Sequence, residues 1–117
     1  MDRTRIPVLI VIAYFGWRWF AAWRARRAAQ RRMAEGAHVV DVRSREEFAA
    51  AHAAGSLNVP LGELSTTPLP WAPDQWVVVC CASGTRSAIG TRMLRRRGFT
   101  RVLNGGSWRN LVSPATR

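Results

Sequence analysis

Two adjacent cysteines, Cys80 and Cys81, close the apolar run Trp76-Val77-Val78-Val79, and Ala82-Ser83-Gly84-Thr85-Arg86-Ser87 follows them. The reactive form of cysteine is the thiolate, and a helix N-terminus or a cation lowers its pKa from ~8.5 to roughly 3.5–7.5. A loop of small residues can turn several backbone N–H groups inward, and a helix after it adds its positive end. The expected product is a nucleophile inside an anion cradle. Such a cradle suits an incoming sulfur anion, or a phosphate or arsenate. The plainer alternative is a small buried apolar residue at a strand end, and the Ser-Gly-Thr-Arg-Ser continuation before a helix argues against it.

The elements that must position this loop can be read outward from it. Trp76–Cys80 is a continuous apolar run, the mark of a central parallel strand buried on both faces. In open α/β sheets, ligands bind at the C-terminal ends of such strands. A helix is predicted from about Ser87 to Arg97, with Gly98 as its left-handed C-cap and Phe99 as the hydrophobic follower. Upstream, His38–Val42 is a short β-branched strand. Ser44-Arg45-Glu46-Glu47 is a capping box that opens a helix running to about Ala53. Leu57–Val59 is a brief strand, and residues 61–75, with three prolines, are a loop holding one helical turn near Leu61–Leu64. Arg101–Leu103 is a last strand before Gly105-Gly106 and Trp108. The alternation gives an α/β fold with a mainly parallel sheet.

In that order the chain resembles a rhodanese-like domain from about Glu35 to Trp108. Val39-Val40-Asp41-Val42-Arg43, His52-Ala53-Ala54-Gly55-Ser56-Leu57-Asn58-Val59-Pro60, Cys81-Ala82-Ser83-Gly84-Thr85-Arg86-Ser87 and Asn104-Gly105-Gly106 with Trp108 are similar to the family's hallmarks. The resemblance implies a three-layer rhodanese-like domain and a sulfurtransferase. Cys81 would take sulfane sulfur from thiosulfate or a persulfide and pass it to cyanide or a thiol. It implies that the amides of Ala82, Ser83, Gly84, Thr85 and Arg86 hold the persulfide, that Asp41 and Arg86 fix the loop or simply form an ion pair, and that Arg43 supports the loop or stays a solvated charge. His52 is read as a packing or capping residue. Partners would be small sulfur-containing anions or persulfides, with no cofactor. The departures are the absence of the usual first strand, Cys80 where an aromatic is common, and only nine residues after Trp108, which predicts a short last helix.

Counting from Cys80 instead gives Cys-x5-Arg-Ser, similar to cysteine phosphatases and some arsenate reductases. Ser83 and Thr85 stand where that loop favours glycine, and no aspartate offers itself as general acid. Cys81 is therefore preferred. A silent rhodanese module serving as a membrane adaptor is the second alternative, and the retained cysteine counts against it. Neighbouring strand residues face opposite sides, so a Cys80–Cys81 disulfide or relay is not expected. Two cysteines form no disulfide framework, which fits a reducing compartment, and no His/Cys cluster has zinc spacing.

The chain has 117 residues and a net charge of +11, with arginine as its only basic residue besides two histidines. Residues 1–35 hold eight arginines against two acids, so much of the excess lies beside the apolar segment Ile6–Trp23. A membrane accounts for that without nucleic acid. Eighteen helical residues span ~27 Å, near the ~30 Å bilayer core. Trp17, Trp19 and Trp23 form an interfacial belt, with Arg18 reaching the headgroups. Arg24, Arg26, Arg27, Arg31 and Arg32 against Arg3 and Arg5 place the C-terminal side in the cytoplasm, which gives a single-pass protein of a bacterial inner membrane. A cleaved signal and a helix lying on the surface are the alternatives. The domain organisation expected is residues 1–34 as transmembrane helix and basic helical linker, and residues 35–117 as the rhodanese-like domain.

Overall fold

The computed structural model describes Arg3 and residues 5–112. Its elements are α1 (Arg5–Ala34), β1 (His38–Asp41), α2 (Arg45–Ala50), β2 (Leu57–Asn58), β3 (Val77–Cys81), α3 (Thr85–Arg96) and β4 (Val102–Ser107). Single 3-10 turns lie at Leu61–Glu63 and Trp108–Leu111. The four strands form one parallel sheet in the order β2-β1-β3-β4. The expected α/β fold with a parallel sheet is therefore present.

All five residues of β3 are buried, because helices cover both faces of the sheet. On one face Val40, Val42, Val77, Val79 and Cys81 pack with Leu64, Leu94 of α3, and Phe99. On the other, Val39, Val78 and Cys80 pack with Ala29 of α1 and Leu111 of the last turn. Strand pleating divides the two cysteines between these faces.

α1 is one helix of 30 residues, ~45 Å long at ~1.5 Å per residue. Its first part leaves Ile6, Val8, Leu9, Ile10, Phe15, Trp17 and Trp19 exposed. By length and composition the helix suffices to cross a membrane, and none of its apolar window is buried. Its last part belongs to the packing: Ala29 is fully buried, and Gln30 Nε2 donates to the Asn110 carbonyl at 2.8 Å. The stretch expected as a basic linker thus covers one face of the sheet.

Several boundaries move from their sequence-based positions, each for a local reason. The capping box of α2 forms as expected, with Glu47 N–H donating to Ser44 Oγ at 3.2 Å and Ser44 N–H to Glu47 Oε1 at 3.2 Å. That helix stops at Ala50, where Ala51 turns extended. β3 runs through Cys81, and α3 begins at Thr85 rather than Ser87. β4 continues through Gly105-Gly106, because the glycines make a bulge. Val79 faces Asn104 and Cys80 faces Gly106, which leaves Gly105 as the extra residue. A Cβ on Gly105 would lie 2.7 Å from Val78 Cγ1, so only glycine fits there. Gly98 ends α3 in the left-handed region, as expected. The chain after Trp108 forms a 3-10 turn to Leu111, and a helix beyond residue 112 lies outside the described residues.

Candidate active site

The loop between β3 and α3 turns back on the Cys81 sulfur. Gly84 adopts φ +104°, a left-handed conformation costly for any other residue, and its N–H donates to Cys81 Sγ at 2.9 Å. The Ser87 hydroxyl, one turn into α3, lies 3.4 Å from the same sulfur. Burial pushes the Cys81 thiol up, but the Ser87 hydroxyl and the N–H groups of Ser87, Gly84 and Ser83 together outweigh it. The net result is a thiol below its ordinary value. Cys81 has no exposed surface: it is enclosed beneath the loop, with peptide dipoles aimed at it.

Cys80, one residue earlier, has the opposite fate. Burial pushes its thiol well above the usual range, and the charge of Asp41 adds to that push. Arg43 offsets part of it. Both thiols are free.

A second layer of polar contacts holds the cradle. Ser87 Oγ is 2.6 Å from Asn104 Oδ1 and 3.0 Å from the Gly84 carbonyl. Asn104 Oδ1 also accepts from Gly106 N–H at 2.9 Å, and Asn104 Nδ2 donates to the Gly84 carbonyl at 3.3 Å. The β4 bulge thus aims Asn104 at the loop, and Asn104 fixes both groups that touch the sulfur. Ser87 has one hydroxyl proton for these acceptors. Directed at an ionised Sγ, it leaves Asn104 Oδ1 still served by Gly106.

Of the residues expected around Cys81, Gly84 meets the sulfur and the Ser83 N–H helps to lower its pKa, and Ser87 joins them from beyond the expected loop. Ala82 and Thr85 shape the turn without bonding to the sulfur among the described residues. Arg86 reaches away, donating to both Glu47 oxygens at 2.8 and 3.0 Å. The guanidinium and the Ser44 N–H hold the Glu47 carboxyl at about 2. Asp41 instead binds Arg43 through contacts of 2.8–3.0 Å, and both side chains are buried. An Asp41–Arg86 ion pair is therefore not formed. Arg43 also donates to the Ala51 carbonyl at 2.7 Å and lies over the Trp108 ring at 4.9 Å. It is neither solvated nor bonded to residues 82–86, and it reaches the loop only through the strand end beside Cys80. His52 stacks on Phe48 at 3.8 Å, and its Nδ1 is 2.8 Å from the Phe48 carbonyl, a packing role.

Sequence reasoning passed over Ser87, Asn104 and the second duty of Glu47. Ser87 ends the loop motif and Asn104 precedes the Gly-Gly pair, so both carried a positional signal. Glu47 carried none for Arg86, which lies 39 residues away.

The rhodanese-like domain family matches residues 24–109. The thiosulfate sulfurtransferase PspE of Escherichia coli is 30% identical over 82 residues, which cover 68% of this chain and 79% of that protein. YrkF of Bacillus subtilis, named as a candidate sulfur carrier, is 33% identical over 70 residues, 60% of this chain. The chain spans only 38% of the length of YrkF. Among solved structures, a rhodanese with anions from E. coli superposes with a TM-score of 0.61 at 30% identity, covering 68% of this chain and 95% of that one.

Proposed function

The chain belongs to the rhodanese-like domain family, and on that premise we propose that it is a sulfurtransferase that carries sulfane sulfur on Cys81. The Cys81 thiolate attacks the outer sulfur of thiosulfate or of a persulfide. With thiosulfate, the Cys81 S–S bond forms as the donor S–S bond breaks, and sulfite leaves with the bonding pair. The terminal sulfur then passes to cyanide or to an acceptor thiolate, which regenerates the Cys81 thiolate. No net electron is gained or lost, and no cofactor takes part.

The observation that carries this reading is the convergence of the Gly84 N–H and the Ser87 hydroxyl on one sulfur. Donors fixed around an anion before it forms stabilise it without reorganisation. Loop amides from Ala82 to Arg86 hold the persulfide in the same way, Ser83 and Gly84 foremost. Asp41 and Arg43 support the loop by fixing the strand end. Cys80, enclosed on the other face with its thiol pushed up, gives a phosphatase or arsenate reductase no nucleophile.

Residues 6–23 anchor the chain in a membrane, and the excess of arginine after them sets the catalytic unit, which includes the packed end of α1, on the cytoplasmic side. The test is mass spectrometry of the protein after exposure to thiosulfate. One added sulfur atom on the Cys81 peptide, absent from Cys81→Ser, is the expected result. No such gain from thiosulfate or from an organic persulfide would leave the silent membrane adaptor as the better account.

A further inference from the structure

Between α1 and the catalytic loop lies an open cleft of ~600 Å³. Ser83, Gly84 and Thr85 form one wall and Asn104 to Ser107 its floor, while Arg18, Ala22, Ala25 and Arg26 form the opposite wall. Positions 18, 22, 25 and 26 recur at helical spacing, so they share one face of α1. The alanines keep the cleft open and the arginines flank it. Among the described residues no acidic side chain lines it.

The arginines of α1 differ in what engages them. Arg18 donates to Tyr14 Oη, Arg24 lies over Phe20, and Arg27 over Trp23. Arg32 stacks on Trp76 and pairs with Glu35. Among the described arginines of α1, only Arg5, Arg26 and Arg31 have neither a carboxylate nor an aromatic partner. Of these three, only Arg26 borders the cleft. It is a full positive charge, exposed, unneutralised, and facing the loop that encloses the reactive sulfur.

We propose that Arg26 is a specificity-determining residue that draws an anionic sulfur donor into the cleft and holds its oxyanion end beside the loop. Arg18 marks the outer end of the same wall. A cleft lined by one sign of charge concentrates counter-ions, and a guanidinium matches a sulfonate through two parallel N–H donors. The inference rests on the sulfurtransferase reading for the identity of the anion. A lipid phosphate offers the same oxyanion chemistry, so the experiment has to separate the two sources.

Full-length protein in vesicles of zwitterionic lipid is compared as wild type, Arg26→Ala and Arg26→Lys. KM for thiosulfate is expected to rise five- to tenfold in Arg26→Ala with little change in kcat, and to recover partly in Arg26→Lys. KM for a simple alkyl persulfide, which has no oxyanion end, is expected to stay within twofold. Equal loss with both donors, or none with thiosulfate, would overturn the proposal. Equilibrium binding of thiosulfate to Cys81→Ser, with and without Arg26→Ala, reads the cleft without turnover. Weaker binding in the double variant supports the proposal even where the wild type transfers no sulfur, a result that would sink only the sulfurtransferase reading. Unchanged thiosulfate binding, with a loss confined to vesicles containing anionic lipid, would assign Arg26 to headgroups and overturn the proposal.

Discussion

The two faces of the sheet receive neighbouring cysteines and treat them in opposite ways. Around Cys80 stand Val39, Val78, Ala29 and Leu111, together with the buried Asp41–Arg43 pair. Among the described residues nothing donates a hydrogen bond to the Cys80 sulfur, and a carboxylate lies close enough to resist its ionisation. Around Cys81 the packing is equally apolar below, with Val40, Val42, Val79 and Leu94. Above the sulfur, however, the chain turns Gly84 and Ser87 onto it. Both side chains are fully buried. Burial alone therefore does not decide reactivity: the direction of a few peptide dipoles does, since they favour the charged form that desolvation disfavours.

The largest test of this contrast exchanges each cysteine in turn. Cys81→Ser is expected to lower sulfur transfer from thiosulfate to cyanide by at least ~10³-fold, the scale on which loss of a nucleophile is felt. Cys80→Ser is expected to keep the rate within about threefold, because its sulfur meets no substrate. A comparable loss in Cys80→Ser would mean that the two thiols act together.

Next in size is the bulge that separates the two faces at β4. Gly105→Ala sets a methyl 2.7 Å from Val78 Cγ1 and 3.3 Å from Leu111 Cδ1, on the Cys80 side. Overpacking of this kind costs about 1–3 kcal/mol, readable as a lower midpoint in denaturant. Because the bulge aims Asn104, transfer should slow as well. Unchanged stability would mean that the floor of the Cys80 face yields more easily than its packing implies.

Ser87→Ala sharpens the contrast from the other side. It removes the hydroxyl donor and leaves the Gly84 N–H in place. The Cys81 thiol lies below its ordinary value in the native protein, so kcat/KM should rise with pH and level off below that value. The variant's limb should move to higher pH, with about a tenfold loss on the acid side for each pKa unit and recovery at alkaline pH. A uniform loss at every pH would assign Ser87 to packing alone.

How much of this was legible in the residues follows from range. The strand starts, the capping box at Ser44 and the stop at Gly98 depend on neighbours within a few positions, and they fall within a residue of where periodicity and cap chemistry put them. The nucleophile loop was legible for the same reason: its glycine and small residues are contiguous with the strand that presents it. Pairings across the chain were not. Asp41 and Arg86 looked like partners because each belongs to a hallmark of the family, yet Arg43 is two residues from Asp41 and takes it first. The bulge at Gly105 was invisible because it depends on Val78, a residue of another strand. Reading residues 24–34 as a linker failed on the same ground, since Ala29 is small enough to pack on a sheet that its own sequence does not announce.

The smallest expected effect concerns Glu47 and Arg86, which tie the start of α2 to the start of α3 on the loop side of the molecule. In the folded protein the Glu47 carboxyl titrates at about 2, below the ~4.3 of an unfolded glutamate. A depressed carboxylate pKa means that the unfolded chain binds the proton more readily, so acid favours unfolding. The contribution is complete above ~4.3 and disappears as pH falls from there through 2. Both side chains are more than one-third exposed, so solvent screening limits the pair to ~0.2–1 kcal/mol. Glu47→Gln should therefore be slightly less stable than wild type at pH 7, and the two should converge as the pH approaches 2. Salt at ~1 M should narrow the gap at pH 7 as well. The stability difference between wild type and Glu47→Gln, followed by chemical denaturation across this range, checks the sign. A gap that persists at pH 2 would mean that Glu47 acts there through its capping of Ser44 and not through its charge on Arg86.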